Sequence, residues 1–298
     1  MKLTRNNTFN NPILLIDGHG GSGKSKVSRV LECFDGVEKS KEDEMFHMIL
    51  HLHRIGKIED DVAKVMLNTI TDRLTYNQLI SREINFKLSD VTSILKYPYP
   101  LEYIKRVFYK DKDEICNKIN DNYPILQNMT TNAIISSNIL FESFGERLKI
   151  IYIRMNPIVT IYNMFKSGFG RNVGVDPTNI MLTYEGNISV DMNEYADIIE
   201  MDRVIRWVYS QSQLVKKSYE SLKPELKERI MIIDFEAFTK YPYSVCNHIS
   251  GFIHKKPTWK LNVVINKLYP ETRNSLLEKK EFIKKYATEN AFKLIDEI

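Results

Sequence analysis

The sequence predicts an α/β fold in three layers, with helices on both faces of a central parallel sheet and a helical insertion. Short, branched apolar runs alternate with helical patterns along the chain, as strands joined by helical crossovers do. The first of these runs leads directly into a glycine-rich turn and a helix, and residues 42–122 carry mostly helical spacing.

Pro12-Ile13-Leu14-Leu15-Ile16-Asp17 is short, apolar throughout and followed by glycines, the pattern of a strand buried on both faces. Residues 18–23 form a turn and residues 25–33 a helix. In the insertion, Val62, Val65, Met66 and Ile70 follow i, i+3, i+4 spacing, and Ser89-Asp90 supplies an N-cap for a further short helix. Further buried strands are expected at residues 124–127, 149–153 and 229–233. A long helix is expected over about 195–222, with Val204, Val208, Val215 and Tyr219 on one face and Pro224 just past its end. The glycine-containing stretch 167–174 reads as a loop, either a lid or a plain surface turn, and the tail from Leu276 is helical and charged. No repeat or low-complexity linker divides the chain, so residues 1–298 are expected to form a single domain.

Hydrophobic residues at 43% and charged residues at 27% are ordinary globular usage, which excludes a disordered chain, a collagen-like repeat or a coiled-coil rod. Lys+Arg 42 against Asp+Glu 38 leaves +4, too balanced for binding nucleic acid by bulk charge. Cys33, Cys116 and Cys246 are far apart in sequence, which argues against a disulfide framework or structural zinc and suits a reducing compartment. The N-terminus has no apolar signal core, and no run reaches the ~18 apolar residues of a membrane span. A cytoplasmic protein is expected, and assembly as a homo-oligomer is compatible with this reading.

Gly18-His19-Gly20-Gly21-Ser22-Gly23-Lys24-Ser25 is a complete G-x-x-x-x-G-K-[ST] between the expected strand and helix, the phosphate loop of the P-loop fold. Its glycines let backbone N–H groups turn inward around anionic oxygens, the helix adds its positive end, and Lys24 supplies a point charge. Ser25 could ligate Mg²⁺ or bond a phosphate oxygen, and His19 could contact the ligand. A kinase, a nucleotide switch and a sulfuryl-transfer enzyme can each use such a loop.

Residues 132–148 precede Lys149-Ile150-Ile151-Tyr152-Ile153-Arg154-Met155-Asn156-Pro157, and Trp207 lies on the expected long helix. Then come Arg229-Ile230-Met231-Ile232-Ile233-Asp234-Phe235-Glu236 and residues 243–253. In this order the segments resemble those of the sulfotransferase family over nearly the whole chain. The resemblance implies that the loop binds the 5′-phosphosulfate of 3′-phosphoadenosine 5′-phosphosulfate. It also implies a 3′-phosphate site built from Arg154 and Asn163, and a hydroxyl acceptor on a carbohydrate or small molecule. A guanidinium ending a strand can hold a phosphate bidentately while the helix starting at Pro157 points its N–H groups the same way. The family's general base often falls after the first helix, which here points to Glu44 first and His47 second. The chain departs from the family in having Gly21 where a basic residue is usual, Lys24-Ser25 in place of a Thr-Thr pair, Met155 in place of an arginine, and Asn163 in place of a serine.

The same residues admit a second reading. Ile230 to Asp234 is an hhhhD strand, and Asp234 beside a complete phosphate loop could hold Mg²⁺ in a kinase that uses ATP or GTP, with Arg171 as a lid arginine. A non-catalytic nucleotide-binding switch is the third reading. His47 and His51 share a helical face with His53 nearby, but no H-E-x-x-H pattern completes a metal site, and none is expected. Tyr97, Tyr99, Tyr103 and Tyr109 either line a sugar or aryl site or pack as core.

Overall fold

The structure is a computed structural model that describes residues 2–82, 84–89, 93–109, 112–169, 198–268 and 275–298. Four strands, β1 (Ile13–Gly18), β2 (Leu126–Met129), β3 (Leu148–Arg154) and β4 (Ile230–Asp234), form one parallel sheet in the order β2-β1-β3-β4. Because all four run the same way, their C-terminal ends meet at one edge, where ligands of open α/β sheets bind. β2 begins at Leu126, later than the apolar run at 124–127 suggests. Pro124 has no N–H to give a ladder, and Ile125 instead forms an isolated bridge to Val37.

Alternation along the strands divides the core. Ile13 and Leu15 of β1, with Leu148, Ile150 and Tyr152 of β3, face α2 (Glu44–Arg54), α3 (Asp60–Leu79) and α6 (Ser137–Phe144). Leu14 and Ile16, with Ile151 and Ile153, face α1 (Lys24–Leu31), α11 (Pro242–Ile253) and α12 (Lys260–Leu268). The sheet is thus sandwiched, and each aliphatic side chain removed from water contributes about 1.5–3 kcal/mol before the entropy of ordering is subtracted.

The stretch 42–122 holds α2, α3, α4 (Pro100–Arg106) and α5 (Lys112–Asn122). Asp43 starts α2 by accepting a hydrogen bond from Phe46 N at 3.1 Å. The buried face of α3 carries Ala63, Leu67, Ile70 and Leu74, offset from Val62 and Val65, which are only partly buried. Ser93 caps the short 3-10 turn Ile94–Lys96 by accepting from Leu95 N. The expected cap at Ser89-Asp90 falls partly outside the described residues, since Asp90 is not among them.

After β3 come α7 (Pro157–Lys166), α8 (Glu200–Glu220) and α9 (Pro224–Lys227). α10 (Phe235–Lys240) follows β4 directly, and α13 (Leu276–Tyr286) and α14 (Glu289–Lys293) end the order. Ile161 and Met164 of α7, Val204, Trp207 and Val208 of α8 and Ile283 of α13 make a third apolar cluster beside the sheet. Among the described residues, no helix is long and apolar enough to cross a membrane.

Candidate functional site

The glycine-rich loop leaves β1 at the C-terminal edge of the sheet and enters α1. Gly18 has φ +143°, and a Cβ there would stand 2.5 Å from the Ile153 carbonyl oxygen of the neighbouring strand. Gly23 has φ +86°, and a Cβ there would lie 2.3 Å from the Phe235 ring. Only glycine fits both the left-handed backbone and these close approaches. Ser22 is buried at 1% exposure, and its Oγ has no hydrogen-bond partner among the described residues.

Lys24, the first residue of α1, is buried with its ammonium donating to Gly18 O and to Thr131 Oγ1, each at 2.7 Å. Burial lowers its pKa to about 8, against the opposing pull of the Asp17 and Glu42 carboxylates. Asp17 is itself fully buried and engaged, accepting from Thr130 Oγ1, Ala133 N and Ile134 N at 2.8–3.0 Å. Ser25 is exposed, and its Oγ lies 3.8 Å from Met129 Sδ at the end of β2. His19 turns away from the loop centre: its Nε2 meets Ser212 Oγ at 2.9 Å, and its ring packs edge-on against Trp207 at 6.1 Å. Burial, followed by the charge of Lys24, lowers its pKa to about 4, so the ring is neutral near pH 7.

α7 meets the loop from the other side. Asn156 caps it, accepting from Ile158 N at 3.0 Å, and Asn163 Nδ2 donates to Gly21 O at 3.0 Å. Met164 lies 3.6 Å from where a Cβ on Gly20 would stand. Between the loop, the N-terminus of α7 and α10 opens a cavity of about 690 Å³, whose lining includes Gly21, Gly23, Asn163, Phe235 and Glu236. Lys26, Lys240 and Lys279 bring positive charge to the same cavity. Its volume suits a nucleotide-sized ligand. Arg154 does not line it: its Nε donates to Asp234 Oδ1 at 2.6 Å, and that hydrogen bond holds the guanidinium pKa above its ordinary value.

Beside Thr131, which accepts from Lys24, α2 places His47 at a crevice with His51, Ala133 and Gln211. Burial and then the Lys24 charge lower the His47 pKa, while Asp17, Asp43 and a hydrogen bond with the Met129 backbone oppose the shift. A neutral imidazole beside an ammonium can accept a proton. Glu44 is exposed in the first turn of α2, whereas it is Glu42 whose charge acts on Lys24.

The site therefore gathers residues 18–25, Asn163 and His47 around one strand edge, with Arg154 a strand away and engaged by Asp234. Arg171 lies outside the described residues. Sequence reading missed Thr131, Glu42, Phe235, Lys26, Lys240 and Lys279. Thr131 sits just past the end of a recognisable strand, which is a usable signal; the lysines resemble any solvated helix face.

No protein-family profile matches the chain, and no curated protein matches it. Among solved structures, sulfotransferase STF9 from Mycobacterium avium is similar at 12% identity and TM-score 0.47, over 96% of this chain and 75% of that one. The sulfotransferase domain from the curacin biosynthetic pathway is similar at 15% identity and TM-score 0.44, over 96% and 90%. Sulfotransferase from Alicyclobacillus acidocaldarius is similar at 13% identity and TM-score 0.39, over 99% and 97%.

Proposed function

We propose that the chain is a sulfotransferase that moves a sulfuryl group from 3′-phosphoadenosine 5′-phosphosulfate to an acceptor hydroxyl. The observation that carries this reading is the character of the strand ends beside the loop. β2 and β3, the neighbours of β1, end in Met129-Thr130-Thr131 and Arg154-Met155, without a carboxylate. Asp234, the candidate Mg²⁺ ligand of a kinase, is on β4, one strand further away, and is held by Arg154. Sulfuryl transfer needs instead a cation at the leaving oxygen and a base at the acceptor, and Lys24 lies between the loop and the His47 crevice in that arrangement.

The glycine cradle, the unpartnered Ser22 Oγ and the cavity with Lys26, Lys240 and Lys279 fit the donor nucleotide. The donor supplies an activated sulfur whose bond to the 5′-phosphate oxygen breaks as the acceptor oxygen bonds to it. His47 takes the acceptor proton, with Glu42 and Glu44 as the competing carboxylate bases. Lys24 and the loop N–H groups stabilise charge on the departing phosphate. Arg154 and Asn163 remain candidates for the 3′-phosphate; Asn163 lines the cavity with Lys26, Lys240 and Lys279, whereas Arg154 does not.

The Lys24-Ser25 pair, placed as in NTP-binding loops, favours a second reading as a kinase using ATP or GTP with Mg²⁺. A thermal-shift panel decides, since a ligand stabilises only the state that binds it. Adenosine 3′,5′-bisphosphate is expected to raise Tm without added metal. Stabilisation by Mg²⁺-ATP alone overturns the sulfotransferase reading, and tight nucleotide binding with no transfer to any acceptor supports a switch.

A further inference from the structure

The polarity of α4 is inverted. Its inner side carries Tyr103, whose Oη donates to the Glu38 carboxylate at 2.7 Å, and Arg106, whose Nη1 and Nη2 donate to the same carboxylate at 2.7 and 2.8 Å. Its outer side carries Leu101, Ile104, Val107 and Phe108, all exposed, with Leu95 exposed on the 3-10 turn before it. Phe108 N donates to Lys105 O at 3.1 Å, so the helical winding continues and Leu101, Ile104 and Phe108 fall on one stripe at i, i+3 and i+7. A surface helix normally gives such a stripe to the core, whereas here the stripe faces solvent.

A second segment adjoins this stripe. Tyr99, just before α4, donates through its hydroxyl to Thr258 Oγ1. Lys260 donates to the Pro98 carbonyl, with its ammonium 3.9 Å from the centre of the Tyr99 ring and 5.5 Å from that of Trp259. Trp259 is 74% exposed, as is Phe108. Its backbone is nevertheless anchored, because Thr258 N donates to Cys33 O at 2.8 Å and Pro257 bridges to Phe34. Single exposed apolar side chains are ordinary, but a fixed tryptophan beside an apolar stripe marks an interaction surface.

Charge indicates the partner. Residues 254–268 hold Lys255, Lys256, Lys260 and Lys267 with no Asp or Glu, and residues 93–109 hold Lys96, Lys105 and Arg106 against Glu102. Two acids from neighbouring segments offset part of this: Glu38, which pairs with Arg106, and Asp35, whose N–H donates to Lys256 O at 3.0 Å. Just outside both stretches the sequence sets Lys87 against Asp90, Lys110 against Asp111 and Arg273 against Glu271, so the positive excess stands. Two copies of such a face repel each other, which disfavours self-association. Lysines interleaved with Trp, Leu, Ile and Phe suit the surface of an anionic bilayer. There the apolar side chains enter the headgroup boundary while the ammonium groups meet lipid phosphates.

We infer that α4 and the Trp259 segment form a docking face for an anionic lipid surface. The inference does not depend on the sulfuryl-transfer reading, since it uses neither the glycine loop nor the nucleotide cavity.

Co-sedimentation of the full chain with vesicles of phosphatidylcholine, with and without phosphatidylserine, tests it. Binding to the phosphatidylserine vesicles is expected to be at least about tenfold tighter and to weaken as salt is raised. The sequence has two tryptophans, and Trp207 is 2% exposed, so quenching of emission by brominated lipid reads Trp259. Leu101→Ser with Phe108→Ser is expected to weaken vesicle binding at least about tenfold, and Lys105→Gln with Lys256→Gln to remove most of the preference for anionic lipid. Both pairs replace exposed side chains, so their urea midpoints should match the wild type. Absence of binding to phosphatidylserine vesicles, equal binding to both vesicles, binding that survives Leu101→Ser with Phe108→Ser, or an unquenched Trp259 overturns the inference. A chain that ignores vesicles but self-associates, or binds a protein, through Trp259 overturns it as well.

Discussion

Arg154 and Asp234 stand opposite each other in the register of β3 and β4, and the guanidinium donates to the carboxylate at 2.6 Å across the open edge of the sheet. Both side chains are substantially solvated, so the pair adds at most about 1 kcal/mol to stability. Asp234→Asn is therefore expected to leave the urea midpoint nearly unchanged. Because it releases a guanidinium close to the nucleotide cavity, it should tighten adenosine 3′,5′-bisphosphate several-fold in a calorimetric titration. A kinase that used Asp234 for Mg²⁺ would instead lose nucleotide affinity on the same substitution.

Gly23 and Phe235 form a steric couple. A Cβ at Gly23 would lie 2.3 Å from the ring and sit on a backbone of φ +86°, and the backbone alone costs roughly 1–2 kcal/mol. Gly23→Ala should lower the unfolding free energy by at least that amount. Adding Phe235→Ala should restore part of the loss, so that the double variant is less destabilised than the sum of the singles. Strict additivity in urea titrations would show that the ring does not constrain the loop.

Lys24 carries a pKa lowered to about 8 by burial. An anion beside it favours the charged form and raises that value. At pH 8.5 the free protein holds this lysine mostly neutral and the complex holds it charged, so binding takes up a proton. Titrations of adenosine 3′,5′-bisphosphate in buffers of different ionisation enthalpy should report uptake at pH 8.5, where the ligand's phosphates are already fully ionised. Lys24→Met should abolish the uptake and weaken binding.

His47 and Glu44 lie one turn apart on α2 in different surroundings. His47 faces the crevice by Thr131 with a depressed pKa, whereas Glu44 is in solvent. His47→Asn is expected to lower the sulfuryl-transfer kcat by roughly 10²–10⁴-fold with little change in bisphosphate affinity. Glu44→Gln should change kcat by less than about twofold on the expectation that an exposed group takes no part. On the acid side, the wild-type rate should fall at a lower pH than an unperturbed imidazole would give, because burial lowers the His47 pKa. A larger loss for Glu44→Gln, or for Glu42→Gln, would move the base to that carboxylate.

The sheet and the loop were legible because both are local patterns. Ile13 to Ile16 are apolar at every position, and the run of glycines after Asp17 has a fixed spacing that a buried strand and a helix N-terminus both require. The partners of the site were less legible because the chain brings them together from distant segments. Asp234 ends a strand whose motif suits a metal ligand, yet only strand order reveals that it neighbours Arg154. Glu42 and Glu44 look alike in a first helical turn, and only the path of residues 37–41 beside β2 turns one of them toward Lys24. His19 sits within the motif, but its neighbours Ser212 and Trp207 come from a helix nearly two hundred residues later.

The hydrogen bonds from Lys24 to Gly18 O and Thr131 Oγ1 make the loop its own competitor. An arriving phosphate has to outbid a hydroxyl and a carbonyl that already satisfy the ammonium. On the proposed reading, nucleotide affinity is thus a difference between two satisfied states, and Thr131, which belongs to neither the glycine motif nor the larger cavity, becomes a dial on it.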